Sequence, residues 1–566
     1  MEHMNPSLGS SIDQPIASGQ NGAPFSQALV ELTKQAYIQL KWESRYWRRQ
    51  HDRAVAREAS LKQELERAQA EIRDLKQRLY GKRSEKGAAP SEAQPRADQS
   101  SRPRGQAPGS QGHGRTPRPH LAVIEEWRAL PPESQVCPCC QAPFAPFPGT
   151  EDSDLVEIQV SAYVRKIKRA RYRKTCQCPE VPGLITAPPA PRLIPKSSLG
   201  VAVWVEVLLR KYLYAIPTNR LCADLNNLGV PMAQGTLTGG LKKLAPLFAP
   251  VQAALRARHL TEQLFHGDET RWKVFQAVAG KIGYRWMLWL TRSASVVYFW
   301  MAPGRGAEVI QNHMAALNPE VLIIFVCDRY SAYQCWAKDY PLVRLAFCWA
   351  HVRRDFLDGA KAWPALTPWM HAWVEALGEV YHLNAQRLAV WDESLPLAEQ
   401  SPLFQVRHQA LVDWLAAMAT QRDQGLADAT LPRAQNKVLN SLKNHWAGLT
   451  VFVDHPQTPM DNNKAENSLR NPATGRKNYY GSGAIWSAEL AAMLFSILQT
   501  VMLWGINPRH WLQAFLTACA ENGGQPLSDL TPFLPWTMDA ARRNALQQPL
   551  PRPDPEPPVS APPDTS

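Results

Sequence analysis

The hydrophobic pattern changes character several times along this 566-residue chain. Residues 1–25 are polar and aperiodic and are expected to be disordered. From 26 to 86 the pattern is helical. Within "LKQELERAQAEIRDLKQRL", Leu61, Leu65, Ala68, Ile72, Leu75 and Leu79 alternate spacings of four and three, with Lys, Arg, Glu and Gln between them. That is a coiled-coil seam, and it predicts a homo-oligomer joined through this helix. Positions 87–120 contain no Val, Ile, Leu, Met, Phe, Tyr or Trp. Such a stretch buries too little apolar surface to fold and reads as a disordered basic linker. The Pro-rich tail, 549–566, reads as disordered as well.

Between linker and tail the pattern predicts four regions. Residues 121–190 carry short β-patterned stretches flanked by cysteines. Residues 191–258 are helical; "LCADLNNLGVPMAQGTLTGGLKKL" places a helix ending at Gly229, a turn through Pro231 and a second helix carrying Lys242 and Lys243, as in a helix-turn-helix. From 259 to 505 strands and helices alternate, with an Ala-, Leu- and Trp-rich helical insertion at about 357–450. Residues 506–548 form a C-terminal helical segment. The most apolar run, "LAAMLFSILQTVMLW" at 490–504, is interrupted by Gln499 and Thr500 and is expected to be a buried helix, with no membrane partner.

Composition sharpens the choice of partner. The formal net charge is +13 and the isoelectric point about 9.3, a balance suited to nucleic acid. Ten cysteines in a chain of this length make no disulfide scaffold, and a reducing, cytoplasmic and nucleoid-associated setting is expected. Cys137 and Cys140 form a C-x-x-C pair and Cys176 and Cys178 a C-x-C pair. Two thiolate pairs brought together by a hairpin close a tetrahedral structural Zn²⁺ site. The intervening "YVRKIKRARYRK" holds seven bases and no acid, so Arg169 and Arg171 are candidate contacts to a phosphate backbone, as are Lys82 and Arg83 of "GKRSEK".

The region from 259 supplies the candidate chemistry. "EQLFHGDETRWKVF", "YRWMLWLT" and "VVYFWMAP" read as strands, "GAEVIQNHMAAL" as a helix, and "VLIIFVCD" as a strand buried on both faces. A helix through "SAYQCWAKDY", a strand "VRLAFCW" and a helix from "AHVRRDF" follow. The order β-β-β-α-β-α-β-α describes a ribonuclease-H-like α/β fold. Asp268 then lies in the first strand and Asp328 ends the apolar one, with the two strands adjacent at the centre of the sheet. A third carboxylate is expected from a helix along the same edge, and Glu466 in "DNNKAENSLR" is the best-placed later acid. Asp461 caps that helix and Pro472 is expected to stop it. Three convergent carboxylates hold two divalent ions, Mg²⁺ or Mn²⁺, for in-line phosphodiester displacement.

Taken together, "LKQRLYGKRSEK", "CPCC", "RLIPKSSLG", "HGDETRW", "CDRYSAY", "CWAHVRRDF", "DNNKAENSLRNPATGRKNYYGS" and "LPWTM" resemble the transposases of the insertion sequence 66 family, in family order over roughly residues 60–540. The resemblance implies a catalytic Asp, Asp, Glu triad at Asp268, Asp328 and Glu466, cutting and joining of double-stranded DNA at element ends and target, and Mg²⁺. Some such elements use small accessory proteins. The chain departs from the family at Arg271 and Trp272, and at the C-x-C pair, which leaves Cys139 as an alternative ligand to Cys140. Glu269 is expected on the opposite strand face from Asp268. Cys348 and His351 have C-x-x-H spacing without a second pair nearby, so His351 is assigned with Arg354 to the scissile phosphate, as are Arg470, Arg476 and Lys477 after Glu466. The alternatives are a DNA-binding relative without catalysis and a ribonuclease-H-like nuclease.

Overall fold

The computed structural model describes residues 31–80, 123–124, 131, 134–145, 153, 155–158, 160–280 and 283–547. The expected disordered ends, the linker at 87–120, Lys82 and Arg83 lie outside these residues. The chain divides into two units, Met1–Arg83 and Ser84–Ser566. Among its described residues the first holds helix α1 (Lys34–Tyr80), whose Leu61, Leu65 and Ile72 are exposed, as are Trp42 and Trp47.

The second unit opens with a small hairpin of β1 (Arg171–Arg173) and β2 (Leu184–Thr186). Three helices follow: α2 (Val201–Leu208), continued by a π-helical turn to Leu213, α3 (Thr218–Asn227) and α4 (Gln234–His259). Gly229 ends the α3 turn at φ +77°, where its missing Cβ permits the left-handed backbone, and Val230 N–H donates back to Leu225 O at 2.9 Å. The apolar face of α4, from Leu237 to Leu255, is buried, whereas Lys242 and Lys243 are exposed.

A five-stranded sheet forms the centre. Its strands are β3 (Leu264–Lys273), β4 (Arg285–Arg292), β5 (Val297–Ala302), β6 (Ile323–Cys327) and β7 (Val343–Phe347). They lie in the order β5-β4-β3-β6-β7. The first three are an antiparallel meander, while β6 joins β3 and β7 joins β6 in parallel through α5 (Ala307–Met314) and α6 (Ser331–Lys338). The period of two divides each strand between two cores: in β4, Leu288 and Leu290 enter the cluster with α4, and Met287 and Trp289 enter the cluster with α5 and α6.

From β7 the chain runs into α7 (Trp349–Ala362) and on through α8 (Thr367–Leu388), α9 (Pro402–Ala427), α10 (Arg433–Asn444), α11 (Trp446–Leu449) and α12 (Val451–Asp454). This helical insertion returns to the sheet with α13 (Asn463–Tyr479) and α14 (Ile485–Leu503), before α15 (Pro508–Glu521) and α16 (Ala540–Gln547). By length and composition α14 is apolar enough to cross a membrane, but 61% of that helix is buried inside the fold, where it packs on β5 and α4.

Two polar residues that interrupt α14 complete the sheet. Strand β5 is an edge, so alternate backbone groups lack a neighbouring strand. Val297 N–H donates to Thr500 Oγ1 at 3.0 Å and Phe299 N–H to Ser496 Oγ at 2.8 Å; each hydroxyl donates back to the same residue's carbonyl. The expectation that Pro472 stops its helix is corrected: α13 continues through a buried Pro472 to Tyr479. Proline removes the N–H that would bond the Ser468 carbonyl. Gln499 Nε2 of α14 supplies that donor at 2.9 Å.

Thr500→Val keeps the shape of this contact but leaves the Val297 N–H buried and unpaired. It is expected to destabilise the fold by about 1–3 kcal/mol, measured as a lower midpoint of urea unfolding; an unchanged midpoint would show that the strand edge needs no partner.

Candidate active site

The backbone brings the acids to one level. His266 of β3 pairs with Val326 of β6, so the same register continued by two residues sets Asp268 beside Asp328, where β6 has just ended. Cys327 pairs with Phe347 of β7, which sets Cys348 on the far side of Asp328. Glu466 stands in the first turn of α13, a helix that packs on β3 and β4.

Each residue of "HGDET" has a separate task. His266 Nδ1 lies 3.2 Å from Asn462 Oδ1, and Asn462 Nδ2 donates to the Gly267 carbonyl at 2.7 Å. Position 267 admits only glycine, since a Cβ there would stand 2.2 Å from the Phe325 ring. Asp268 Oδ1 accepts the Glu269 N–H at 2.8 Å, which fixes the carboxylate. Glu269 turns to the other face, where Arg305 Nε donates to it at 2.8 Å and Tyr333 Oη at 2.6 Å. Thr270 Oγ1 accepts from Arg476 Nη1 at 2.8 Å.

"CDRY" divides its work similarly. Asp328 Oδ1 accepts the Tyr330 N–H at 2.9 Å. Arg329 reaches away, donating to Asp355 of α7 at 2.6 Å and Ser441 of α10 at 2.7 Å, and so ties the insertion to the strand end. The Tyr330 ring lies under the Arg305 guanidinium, 3.8 Å from its carbon, and Tyr330 Oη donates to the Arg305 carbonyl.

Helix α13 is pinned at both ends. At its start Asn462, 2% exposed, holds the N-cap position and bonds β3 as described, and Asp461, expected to be the cap, lies one residue earlier and accepts the Asn463 N–H at 3.0 Å. At its end Arg476 also donates to the Arg271 carbonyl at 2.7 Å. Arg292 of β4 donates to the Lys464 carbonyl and Ser468 Oγ between them.

The resulting electrostatics are those of crowded anions. Burial pushes the Asp268 carboxyl well above the usual range, and the charges of Glu269, Asp328 and Glu466 add to the shift. Burial also raises Glu269, against the opposing pull of Tyr333 and Arg305. Glu466 Oε1 is buried with no hydrogen-bond partner. Anchored carboxylates with an orphaned buried oxygen among them fit a hard divalent cation. His351 faces the same space: burial lowers its imidazole, while Glu466 and Asp328 oppose that shift.

The other candidate residues are distributed as follows. Arg354 is half-buried near His351, and Arg470 and Lys477 are exposed on α13, whereas Arg476 serves the clamp. Arg171 is exposed on β1, and Arg169 Nε donates to the Ala187 carbonyl at 2.6 Å. Cys137 and Cys140 sit in a tight turn closed by Cys137 N–H to Ala142 O, with Gln141 at φ +60°. Cys176 and Cys178 lie in the loop of the β1–β2 hairpin, where Lys174 Nζ donates to the Cys178 carbonyl. Neighbouring cysteines lower the thiol of Cys137 and of Cys176. The structure thus makes two separate cysteine turns and does not draw their sulfurs into one group of ligand atoms. Sequence reasoning gave Arg476 another task and did not single out Asn462 or Arg305; all three act through contacts about 36 to 206 positions away.

A raised Asp268 binds its proton more tightly folded than unfolded, where a carboxyl titrates near about 3.9. The metal-free protein therefore loses stability as pH rises from that value through the folded one, and remains at the lower level at neutral pH. Asp268→Asn is expected to raise the neutral-pH melting temperature of the metal-free protein, by roughly 2–4 °C per kcal/mol regained. Mn²⁺ should raise the native melting temperature and affect the variant less. Equal metal responses would contradict a cation site at Asp268.

Comparison with known proteins follows the same residues. The family model described as Transposase IS66 family matches residues 196–490. The chain is similar to uncharacterized protein y4jD of Sinorhizobium fredii (strain NBRC 101917 / NGR234), 26% identical over 430 residues that make up 73% of this chain and 80% of that protein. It is also similar to uncharacterized protein y4hP of the same strain, 24% identical over 445 residues, 73% of this chain and 75% of that one. No solved structure matches it. The match covers more than half of the chain and every acid of the site, and this chain belongs to the IS66 family of transposases.

Proposed function

We propose that the chain is a DDE-type transposase with a ribonuclease-H-like catalytic domain, which binds the ends of its element and carries out DNA strand cleavage and transfer. The observation that carries this reading is that Asp268 on a central strand, Asp328 at the neighbouring strand end and Glu466 on a clamped helix lie near enough for their charges to act on one another, although their oxygens do not form one group of ligand atoms within 4.8 Å. Asp268, Asp328 and Glu466 would hold Mg²⁺ or Mn²⁺. When bound, two such ions activate the attacking water or 3′-hydroxyl and stabilise the leaving oxygen.

The chain's own contribution is placement. The backbone N–H groups of Glu269 and Tyr330 orient one oxygen of each aspartate. Arg305 and Tyr333 hold Glu269 on the other face, so the three remaining acids define the site. His351 and Arg354 from α7, and Arg470 and Lys477 from α13, are proposed to receive the DNA backbone. Exposed Lys242 on α4 and the basic residues around Arg171 are proposed to make further contacts to DNA. Cys137, Cys140, Cys176 and Cys178 are proposed to close around a structural Zn²⁺, which would draw the two cysteine turns together. Helix α1, with its exposed Leu61, Leu65 and Ile72, is proposed to pair with a second copy.

The test uses DNA flanking the gene, the purified full-length chain and Mg²⁺, with any small proteins encoded beside it added. Native protein is expected to nick element ends and join them to target. Asp328→Asn and Glu466→Gln should lower both steps on the order of a hundredfold or more while end binding persists. Equal activity in the variants would remove these acids from the chemistry. Nicking without joining would favour a nuclease, and tight binding without either step a DNA-binding relative.

A further inference from the structure

Cys348 and His351 have the spacing of half a metal site, and the fold supplies a third donor from 115 positions further on. One ligand atom from each of Cys348, His351 and Glu466 lies within 4.8 Å of the others, the one such group of His, Cys, Asp or Glu among the described residues. His351 Nε2 and Glu466 Oε1 are 3.7 Å apart, too far for a hydrogen bond. Glu466 Oε1 and His351 Nδ1 are both buried without hydrogen-bond partners. Cys348 Sγ is fixed at the start of α7, where the Asn462 N–H donates to it at 3.3 Å. Cys348 itself is 1% exposed, whereas the side chains of His351 and Glu466 are 27% and 31% exposed. The sulfur is thus the buried end of the group, and the imidazole and carboxylate side chains are its partly exposed end.

The donor chemistry selects the ion. A thiol, an imidazole and a carboxylate are a poor set for Mg²⁺, which takes oxygen, and a good one for Zn²⁺. Three protein ligands leave a fourth tetrahedral position for water. Binding would replace the Cys348 thiol proton, released to solvent, and would give the orphaned Glu466 oxygen a partner.

We propose that Cys348, His351 and Glu466 form a Zn²⁺ site that shares Glu466 with the Mg²⁺ site, so that Zn²⁺ withdraws this carboxylate from Asp268 and Asp328 and inhibits strand transfer. The inhibition rests on the function proposed above; the binding does not.

Zn²⁺ equivalents are counted on the full-length chain by competition with a chromogenic chelator, for native protein, Cys348→Ala and Cys348→Ser. The serine variant keeps an acceptor for the Asn462 N–H, and thermal melts verify that each variant is folded. Both variants are expected to bind one equivalent fewer than native protein, whatever the number held between Cys137 and Cys178. The Zn²⁺ concentration that halves Mg²⁺-supported strand transfer should rise at least about tenfold. The same count in all three proteins overturns the site. One equivalent lost with unchanged Zn²⁺ sensitivity overturns the inhibition. One equivalent lost in a chain that shows no Mg²⁺-supported transfer establishes the site and overturns the transposase reading instead.

Discussion

Crowding of carboxylates is the constraint on which the rest of this structure depends. Asp268, Glu269, Asp328 and Glu466 act on one another in a partly buried space, and such a group is costly unless each charge is answered. Glu269 is answered from within the chain by Arg305 and Tyr333. The other three have no such arginine partner among the described residues, which is why a bound cation is proposed for them, and rigid neighbours keep them from relaxing apart. The sheet register fixes the two aspartates. Asn462, Arg292 and Arg476 fix the helix that carries Glu466, and Arg329 fastens the helical insertion to the residue beside Asp328.

The second core serves the same end. Helix α14 gives up an unbroken apolar sequence so that Ser496 and Thr500 can complete the edge of β5, and so that Gln499 can meet the carbonyl freed by Pro472. Helix α13 thereby keeps its course across a proline and reaches Arg476, its second anchor on β3. Polar residues in a long apolar helix and a proline within its neighbour are thus parts of one packing solution.

Much of this was legible in the sequence, and the physical reason is period. The alternating strands at 264–302, the wholly apolar strand ending in Asp328 and the helices between them have short-range signatures, and their order placed Asp268 and Asp328 side by side. The opening turn of α13 was legible too, because the Asp461 carboxylate accepts the Asn463 N–H locally. What escaped depends on partners remote in sequence. Asn462 holds the N-cap position, but its side chain bonds a strand 195 positions earlier. Pro472 reads as a stop because the donor that rescues it lies on another helix. Cys348 and His351 lack a visible second pair because their third neighbour, Glu466, comes from the far side of the insertion.

The central claim, that Asp268, Asp328 and Glu466 share one metal site, is most directly tested by mapping metal-directed backbone cleavage. Fe²⁺ takes the place of Mg²⁺ in the full-length protein, and ascorbate with peroxide generates hydroxyl radicals at the bound ion. The fragments should end close to residues 268, 328 and 466, three segments far apart in the chain, and excess Mg²⁺ should suppress all three cuts together. Cuts at only one of these segments, or cuts confined to the cysteine turns between Cys137 and Cys178, would contradict a shared site.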